Sequence, residues 1–491
     1  MRQILIVALS ALFMCSCSLY QKYTRPEEIK TDNLYGEAVA LSDTTSIADI
    51  GWRDFFADKH LQALIEQGLK NNADMRIASQ RIIASEATLR TARLAFYPSV
   101  SFEPTFSTKN YINHSSQQSY SIPVAASWEI DIAGRLLNSK RRSESAYEQS
   151  KLYRRSVQTN LIASIANAYY TLLMLDAQLE ISETTAANWK ENVRIMRAMK
   201  QAGMTNEASV SQTEANSCSI DASLFDMRYK ITEVENALAL LLGTVPQHFT
   251  RGKLAEQSLN KTLSVGIPAQ LLARRPDVQS AERSLEQAYY ATNIARGQLY
   301  PSLKLTGNGG WQETLGRAVT TPAAWLINFT AGLVTDIFKA GQKRANIKIA
   351  KAQFEESLIK FQQVLLQAGS EVNEALAQCQ AARSKTDIRK RQIAALESAV
   401  VSTRQLMSHS ESTYLEVLTA QQTLLSAQLS QVADYFEEIQ GTINLYHALG
   451  GGTDEDAVSP APRTKREIRA EKRAAKREAK ANAKLQKEGA K

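Results

Sequence analysis

The sequence predicts a mainly helical protein built from two copies of one unit, each with long helices and a β-hairpin. The Tyr-Pro-Ser motif at 97–99 returns at 300–302, 203 positions later, and Gly134 returns as Gly341, 207 positions later. A near-constant offset over this much of the chain indicates an internal duplication. Only 21 of the 491 residues are glycine and 11 are proline, a composition that favours helix.

The second copy contains the clearest helical period. Between Ile347 and Ala375, apolar residues recur at a mean spacing of 3.5 residues, and larger side chains alternate with alanine. This is the period of a coiled coil, and the alanines let neighbouring helices pack closely. A helix over the predicted range 341–407 would be roughly 100 Å long, at about 1.5 Å per residue.

The N-terminus has the pattern of a bacterial secretion signal. Arg2 precedes the apolar run 4–14, which is too short to cross a bilayer, and the small Ser16 precedes Cys17 as in a lipobox. We therefore expect residues 1–16 to be a signal peptide and Cys17 to carry lipid, including palmitate, after cleavage. An ordinary secretory signal without lipid is the alternative.

The first copy follows a polar, irregular stretch. Residues 17–70 are assigned to the lipidated N-terminal segment, which ends in an amphipathic helix over 52–69. The hairpin of this copy is indicated by aromatic and β-branched residues on either side of a polar loop, although Pro104 and Pro123 weaken the pattern. The first repeat, 71–243, is predicted to contain a helix over 74–96, the hairpin at 99–131, a long helix over 134–202, and a return helix that ends at Gly243.

The second copy repeats this order after a linker, 244–275. The second repeat, 276–452, is predicted to contain a helix over 276–299, a hairpin at 302–338, a long helix over 341–407, and a return helix over 414–449. Each copy therefore supplies two strands and one antiparallel pair of long helices.

The positive charge of the chain is confined to its C-terminus. The net charge is +8 at pH 7, and residues 463–491 contain twelve Lys or Arg and four Glu, so the remainder is neutral overall. The body of the protein therefore has no electrostatic basis for binding nucleic acid. Like charges four residues apart disfavour a helix, so we expect 453–491 to be a basic, disordered tail.

The sequence contains no catalytic or metal-binding pattern. Its five histidines are scattered, and no glycine-rich loop followed by Lys-Ser or Lys-Thr is present to bind a nucleotide. We therefore predict that the protein is not an enzyme and uses no cofactor or metal. Cys218 and Cys379 lie in helical stretches of opposite copies, and we interpret both as buried small side chains, with a disulfide as the alternative.

Only strands could carry this chain across a membrane. No stretch beyond residue 16 approaches the roughly 18 apolar residues of a membrane helix. The four predicted strands are fewer than the roughly eight with which barrels begin, so closure would need two or three chains. The aromatic residues of the hairpins, including Trp128, Trp311 and Trp325, favour such a barrel over hairpins that cap a soluble helical rod.

Several motifs resemble those of the TolC-like outer-membrane factors. The similarity is to the lipoprotein branch, the NodT- and OprM-like proteins of resistance-nodulation-division (RND) efflux systems, and it covers residues 17–452. The motifs are Cys17-Ser18-Leu19 with Tyr23-Thr24-Arg25-Pro26, Leu-Leu-Ala-Arg-Arg-Pro-Asp-Val at 271–278, Tyr-Pro-Ser-Leu at 300–303, and Tyr-Leu-Glu-Val-Leu-Thr-Ala-Gln at 414–421.

The resemblance implies a trimer. Each chain would supply four strands to one 12-stranded β-barrel in the outer membrane, and long coiled-coil helices to an α-barrel tunnel across the periplasm. Short helices near 52–70 and around 243–275 would form an equatorial belt midway along the tunnel.

The resemblance also places functional residues at the periplasmic end of the tunnel. Leu415, Glu416 and Thr419 match residues that ring the aperture in the family, although Thr419 stands where an aspartate is common. Gly203 and Ser410 match the helical-tip turns, and Ser410 replaces a common glycine. Three Glu416 side chains around a threefold axis would repel one another and attract cations. A solvated Glu416 on a helix face is the alternative.

We therefore predict a lipid-anchored homotrimer that acts as the passive exit duct of a tripartite efflux system, most simply of the RND type. Its partners would be outer-membrane lipid, a periplasmic adaptor (membrane fusion protein) and an inner-membrane RND transporter. The alternatives are a coiled-coil lipoprotein that tethers the envelope without a pore, and an exit duct for type I secretion. The sequence leaves open whether the cargo is drugs, metals, lipids or polypeptides.

Overall fold

Two antiparallel pairs of long helices dominate the described part of the chain. The computed structural model describes residues 20–27, 29, 34–35, 46–111, 114–257, 271–314, 325–334, 339–408 and 414–453. Among the described helices, none joins enough length with enough apolar content to span a bilayer. The helices are α1 Trp52–Phe55, α2 Lys59–Asn71, α3 Ala73–Leu94, α4 Arg135–Gln201, α5 Glu207–Leu242, α6 Leu271–Arg274, α7 Pro276–Gly297, α8 Gln342–Ser408 and α9 Tyr414–Ala448.

The two copies contain the same elements in the same order, so the predicted duplication is confirmed. A helix, strands and a long antiparallel pair appear as α3, α4 and α5 in the first copy, and as α7, α8 and α9 in the second. The lengths match closely: α3 and α7 each have 22 residues, and α4 and α8 each have 67. The unit that was duplicated is therefore the whole helix–hairpin–helix-pair module.

The predicted coiled-coil stripe of α8 is buried. It packs against α7 and α9. Its buried members are Ala350, Leu358, Phe361, Leu365, Ala368, Val372 and Ala375. The stripe thus holds the second copy together, as its spacing predicts.

Several of the largest buried side chains gather where the short α1 and α2 meet the long helices. Trp52 and Phe56 are fully buried, and the ring of Phe55 stacks on that of Tyr446 with centroids 4.1 Å apart. The Tyr446 hydroxyl also donates a hydrogen bond to the Ile50 carbonyl at 2.7 Å. This contact ties the N-terminal segment to the end of the second copy.

The single helix predicted over 52–69 is wrong, because residues 56–58 separate α1 from α2. The Asp58 side chain accepts a hydrogen bond from the backbone N–H of His60 at 2.8 Å and caps α2. The Gln62 amide donates to two carbonyls of the preceding segment at 2.8 Å each, which holds the break in place. Apolar residues keep a helical spacing on both sides of Asp58, so the hydrophobic period of the sequence does not reveal this break.

The strands form one antiparallel sheet. The first strand pairs with the third, as does the second; the third pairs with the fourth, and the fourth with the fifth. The first two are pieces of one arm, interrupted at Pro104 because proline cannot donate a ladder hydrogen bond. The described strands therefore make four arms, as predicted: β1 Ser99–Phe102 with β2 Thr105–Tyr111, β3 His114–Ile130, β4 Ser302–Thr314 and β5 Trp325–Val334.

Pro123 lies within β3, directly opposite Gly310 of β4. A Cβ atom at position 310 would lie 2.5 Å from the Ile122 carbonyl oxygen and from the Pro123 Cα, whereas one at Gly309 would meet nothing within 4 Å. We expect Gly310→Val to force β3 and β4 apart and to lower the free energy of unfolding by about 1–3 kcal/mol. Gly309→Val is the matched control, with little effect. Thermal unfolding of both variants measures this, and equal midpoints would contradict the steric account.

Candidate functional site

The sheet has one strongly apolar face. Four of its side chains, Phe102, Phe106, Ile327 and Phe329, are each more than 60% exposed. A contiguous exposed apolar surface of this kind marks a region that meets a membrane or a partner. Residues that lie opposite one another on β3, β4 and β5 form rows across this face. These rows are Val124, Gly309 and Ile327; Ala126, Gly307 and Phe329; and Trp128, Leu305 and Ala331.

The opposite face of the sheet is polar. This alternation is typical of strands with lipid on one side and water on the other. The corresponding rows are Ala125, Asn308 and Asn328; Ser127, Thr306 and Thr330; and, nearest the helices, Glu129, Lys304 and Gly332.

Within the described residues, both the sheet and the helical layer have two open edges. The arm of β1 and β2 forms one edge of the sheet, and β5 forms the other. In the helical layer, α4 packs on α3, α5, α7 and α9, while α8 packs on α7 and α9. The first-copy edge therefore consists of α3 and α5, and the second-copy edge of α8. Both carry exposed apolar side chains, such as Phe225 and Tyr229 on α5 and Ile359 and Leu366 on α8.

The turn between α4 and α5 is tight and capped on both sides. Gly203 has a φ of +72°, and its N–H donates to the Lys200 carbonyl at 3.0 Å, as at helix ends that close with a left-handed residue. The Asn206 side chain accepts from the Ser209 N–H at 2.9 Å and starts α5. Met204 is 71% exposed, so this tip presents an apolar side chain to its surroundings.

The first turns of α9 have one buried and one exposed side. Val417 and Leu418 are buried, and Leu415, Glu416 and Thr419 are exposed. The Thr419 hydroxyl donates to the Leu415 carbonyl at 2.9 Å, so it is turned onto its own helix. The three predicted aperture residues therefore share one exposed side, and Glu416 supplies its charge.

Two predicted functional residues, Cys17 and Ser410, lie outside the described part of the chain. The structure therefore gives geometry for the tip at Gly203 and for the start of α9. The lipidation site and the second tip turn stay predictions.

The two cysteines of the helices differ in burial. Cys379 is buried, as expected, but Cys218 is exposed. The interpretation of Cys218 as a buried side chain is wrong because α5 lies at an open edge and is covered on one side only. Both cysteines are free thiols, so the alternative disulfide is not formed.

An ion-pair cluster around Arg275 was not predicted. The Arg275 side chain is 6% exposed and bonds to Asp277 and Glu371 at 2.6 Å each. It also donates to the Ala448 carbonyl at 3.1 Å, so it joins the start of α7 to α8 and to the end of α9. Burial by itself would lower the pKa of Arg275, but the hydrogen bond with Asp277 helps to raise it overall, which keeps the guanidinium charged. The Arg-Arg-Pro-Asp block at 274–277 is the part of the sequence that could have indicated this cluster.

A second unpredicted cluster fixes the linker onto the first copy. Arg251 bonds to Asp176 at 2.5 Å and to Glu235 at 2.6 Å, and His248 also contacts Glu235 at 2.9 Å. Burial raises the pKa of Glu235, but the hydrogen bonds from Arg251 and His248 outweigh it and lower the pKa overall. Glu235 is therefore ionised, and the linker is held to both α4 and α5.

A family model described as outer membrane efflux protein matches this chain over residues 64–244 and 267–451. Each matched block contains one copy of the duplicated module. Together the two blocks cover most of the chain.

Individual relatives match over almost their whole length. The cation efflux system protein CusC of Escherichia coli (strain K12) is 28% identical over 448 residues, which cover 90% of this chain and 98% of CusC. The toluene efflux pump outer membrane protein TtgC of Pseudomonas putida is 29% identical over 472 residues, covering 92% of this chain and 96% of TtgC. A crystal structure of CusC matches with a TM-score of 0.78 at 26% identity, covering 88% of this chain and 99% of that one. The printed names of these two relatives refer to different cargoes, cations for CusC and toluene for TtgC.

Proposed function

Because this chain belongs to the outer membrane efflux protein family, we propose that three copies of it form the passive exit duct of a tripartite efflux system. The observation that carries the proposal is the sheet, with its four arms, two open edges, one apolar face and one polar face. Such a sheet can bury its apolar face in lipid and pair its open edges with copies of itself.

A trimer satisfies all the open edges at once. Eight strands close a barrel whose interior is filled by side chains, so two chains would leave little room for a duct, whereas three chains give twelve arms. In a ring, each chain would set its first-copy edge against the second-copy edge of its neighbour. The sheet and the helical layer have these edges in the same order, as a head-to-tail ring requires.

The lipid anchor proposed at Cys17 is supported by the position of Tyr20. The Tyr20 hydroxyl donates to the Ile132 carbonyl at 2.6 Å, and Arg141 donates to the Tyr20 carbonyl at 2.9 Å. Three residues reach at most about 11 Å. A lipid on Cys17 would therefore enter the membrane beside the junction of β3 and α4, on the periplasmic side.

We propose that the helical tips dock a periplasmic adaptor and an RND-type inner-membrane transporter. The tips would meet the transporter either directly or through the adaptor. The support is the length of α4, 67 residues or roughly 100 Å, which sets its tip far from the sheet. Met204 and Leu415 are exposed apolar side chains at that end. In this arrangement the duct is passive, and the transporter supplies the energy.

Conductance tests both the duct and its aperture. We expect purified protein to form discrete channels in planar bilayers, and Glu416→Gln to lower their preference for K⁺ over Cl⁻ by about twofold, because a ring of carboxylates attracts cations. Thr419→Asp should raise that preference. The measurement is the reversal potential in a KCl gradient.

Glu207→Gln, at the start of α5, is the matched control because it removes the same charge from an exposed residue of the other tip. An unchanged ion preference in Glu416→Gln would refute the aperture assignment. No channels from the unmodified protein would refute the duct itself.

A further inference from the structure

An open notch lies on the apolar face of the sheet, in the part nearest the helices. Its volume is about 370 Å³, whereas about 10–15 Å³ is enough to hold one water molecule. It therefore has room for a stretch of hydrocarbon chain. The residues of the apolar face that line it are Ala126, Trp128, Leu305, Gly307, Phe329 and Ala331.

The aromatic side chains beside the notch are positioned by contacts within the sheet. The Trp128 indole N–H donates to the Phe96 carbonyl at 2.9 Å. The ring of Phe329 lies over Gly307, where a Cβ atom would be 3.1 Å from two carbons of that ring. Both rings stand next to a glycine and two alanines, so the notch arises from the pattern of large and small residues in two neighbouring rows.

The notch lies close to the end of the sheet that joins the helices. The first row of the apolar face at that end consists of Ile130, Leu303 and Leu333. The notch occupies the next two rows, about 7 and 14 Å farther along the strands, because neighbouring rows are two residues apart. One leaflet of a bilayer has a hydrocarbon layer about 15 Å thick, half of the full core. With the apolar face in lipid, the notch therefore lies within the periplasmic leaflet.

The N-terminal segment reaches the sheet at this same corner. The Tyr20 hydroxyl donates to the carbonyl of Ile132, two residues beyond the end of β3. Trp128 is four residues before Ile132, about 13 Å along the strand. Cys17 precedes Tyr20 by three residues, which reach at most about 11 Å. An acyl chain on Cys17 would therefore enter the periplasmic leaflet beside the strand that carries Trp128.

We propose that one acyl chain of the lipid on Cys17 packs into this notch, so that the anchor is held against the sheet. The proposal rests on the lipid anchor and the lipid-facing sheet proposed above. A phospholipid of the bilayer can meet any part of the apolar face, whereas the chain on Cys17 starts at this corner and has a high effective concentration at the notch. Inside a membrane the gain comes from van der Waals packing against the rings, since no surface is removed from water.

The test labels the acyl chains of the full-length protein in growing cells. The probe is a palmitate analogue with a photoreactive diazirine at mid-chain and a terminal alkyne for recovery. After irradiation, tandem mass spectrometry identifies the residues joined to a chain that is still attached to the N-terminal cysteine. We expect these crosslinks at Trp128, Leu305 and Phe329. They should be about fivefold fewer at Val124 and Ile327, which are exposed on the same face but outside the notch.

A variant that fills the notch provides a second measurement. Ala331→Trp places an indole there, and crosslinks from the Cys17 chain to Trp128 and Leu305 should fall by about tenfold, because a filled site leaves no room for the chain. Ile327→Trp is the matched control, since it enlarges an exposed residue on the same strand and face outside the notch. It should leave the crosslinks unchanged.

Two results would overturn the proposal: crosslinks from the Cys17 chain spread evenly over the apolar face, or notch crosslinks made only by free phospholipid. If Ala331→Trp does not assemble, the distribution of crosslinks in the unmodified protein decides alone. An N-terminal peptide without any labelled chain would refute the lipid anchor, and this packing with it. The duct is tested separately by the conductance of the same preparation.

Discussion

Replacing Arg275 with methionine is expected to lower the free energy of unfolding by about 1.5–3 kcal/mol, because two partly exposed carboxylates and a backbone carbonyl lose their charged hydrogen-bond donor. The change would strand Asp277 and Glu371 and remove the donor to the Ala448 carbonyl. Burial raises the pKa of Asp277, but hydrogen bonding and charge from Arg275 lower it overall, so Asp277 is ionised in the folded protein. Urea unfolding followed by circular dichroism measures the loss.

Arg274→Met is the matched control, one residue away. Arg274 pairs with Asp49 at 2.7 Å, and the Asp49 side chain is half exposed, so its removal should cost only about 0–1 kcal/mol. Arg275→Lys keeps the charge but not the bidentate geometry, and should lie between the two methionine variants. Equal losses for Arg274→Met and Arg275→Met would show that the buried cluster has no special role in stability.

Replacing both Phe225 and Tyr229 with glutamate is expected to convert the assembly to monomers. Each side chain is 70% exposed in the single chain, and both lie on the first-copy edge that a neighbour would cover. Two unpaired carboxylates at each of three seams should cost several kcal/mol per seam. The oligomeric state in detergent measures the effect, while helix content by circular dichroism should stay unchanged.

Met204→Glu serves as the control for that variant. It also changes an apolar residue of similar exposure to an acid, but at the helical tip, where no seam is expected. It should therefore stay trimeric. A Phe225/Tyr229 variant that also stays trimeric would exclude this part of α5 from the seam.

The sequence predicts the helices and the sheet arms well because each is encoded locally. The period between Ile347 and Ala375 requires one long helix, and the switch to alternating aromatic residues after Pro98 requires strands. The gap between α1 and α2 escapes prediction because a single capping residue, Asp58, creates it. The Arg275 cluster escapes because Glu371 lies 96 residues away, in a helix whose register on α7 no local pattern specifies.

The candidate site is less predictable than the fold. Leu415, Glu416 and Thr419 were selected by resemblance, and their spacing alone places them on one side of a helix without saying that the side is exposed. A cavity where the sheet meets the starts of the two longest helices could not be found in the sequence, because the residues that line it, among them Arg135, Lys304 and Lys343, belong to three separate elements. They meet only through the pairing of β3 with β4.

The central claim is that this chain closes only as a trimer, and the mass of the detergent-purified particle tests it most directly. Three chains of 54.4 kDa each, less their signal peptides, predict a particle of about 160 kDa that separates into single chains only on heating. A monomer or dimer that remains in solution without detergent would contradict the duct, because four or eight arms do not enclose one, and would favour an envelope tether instead.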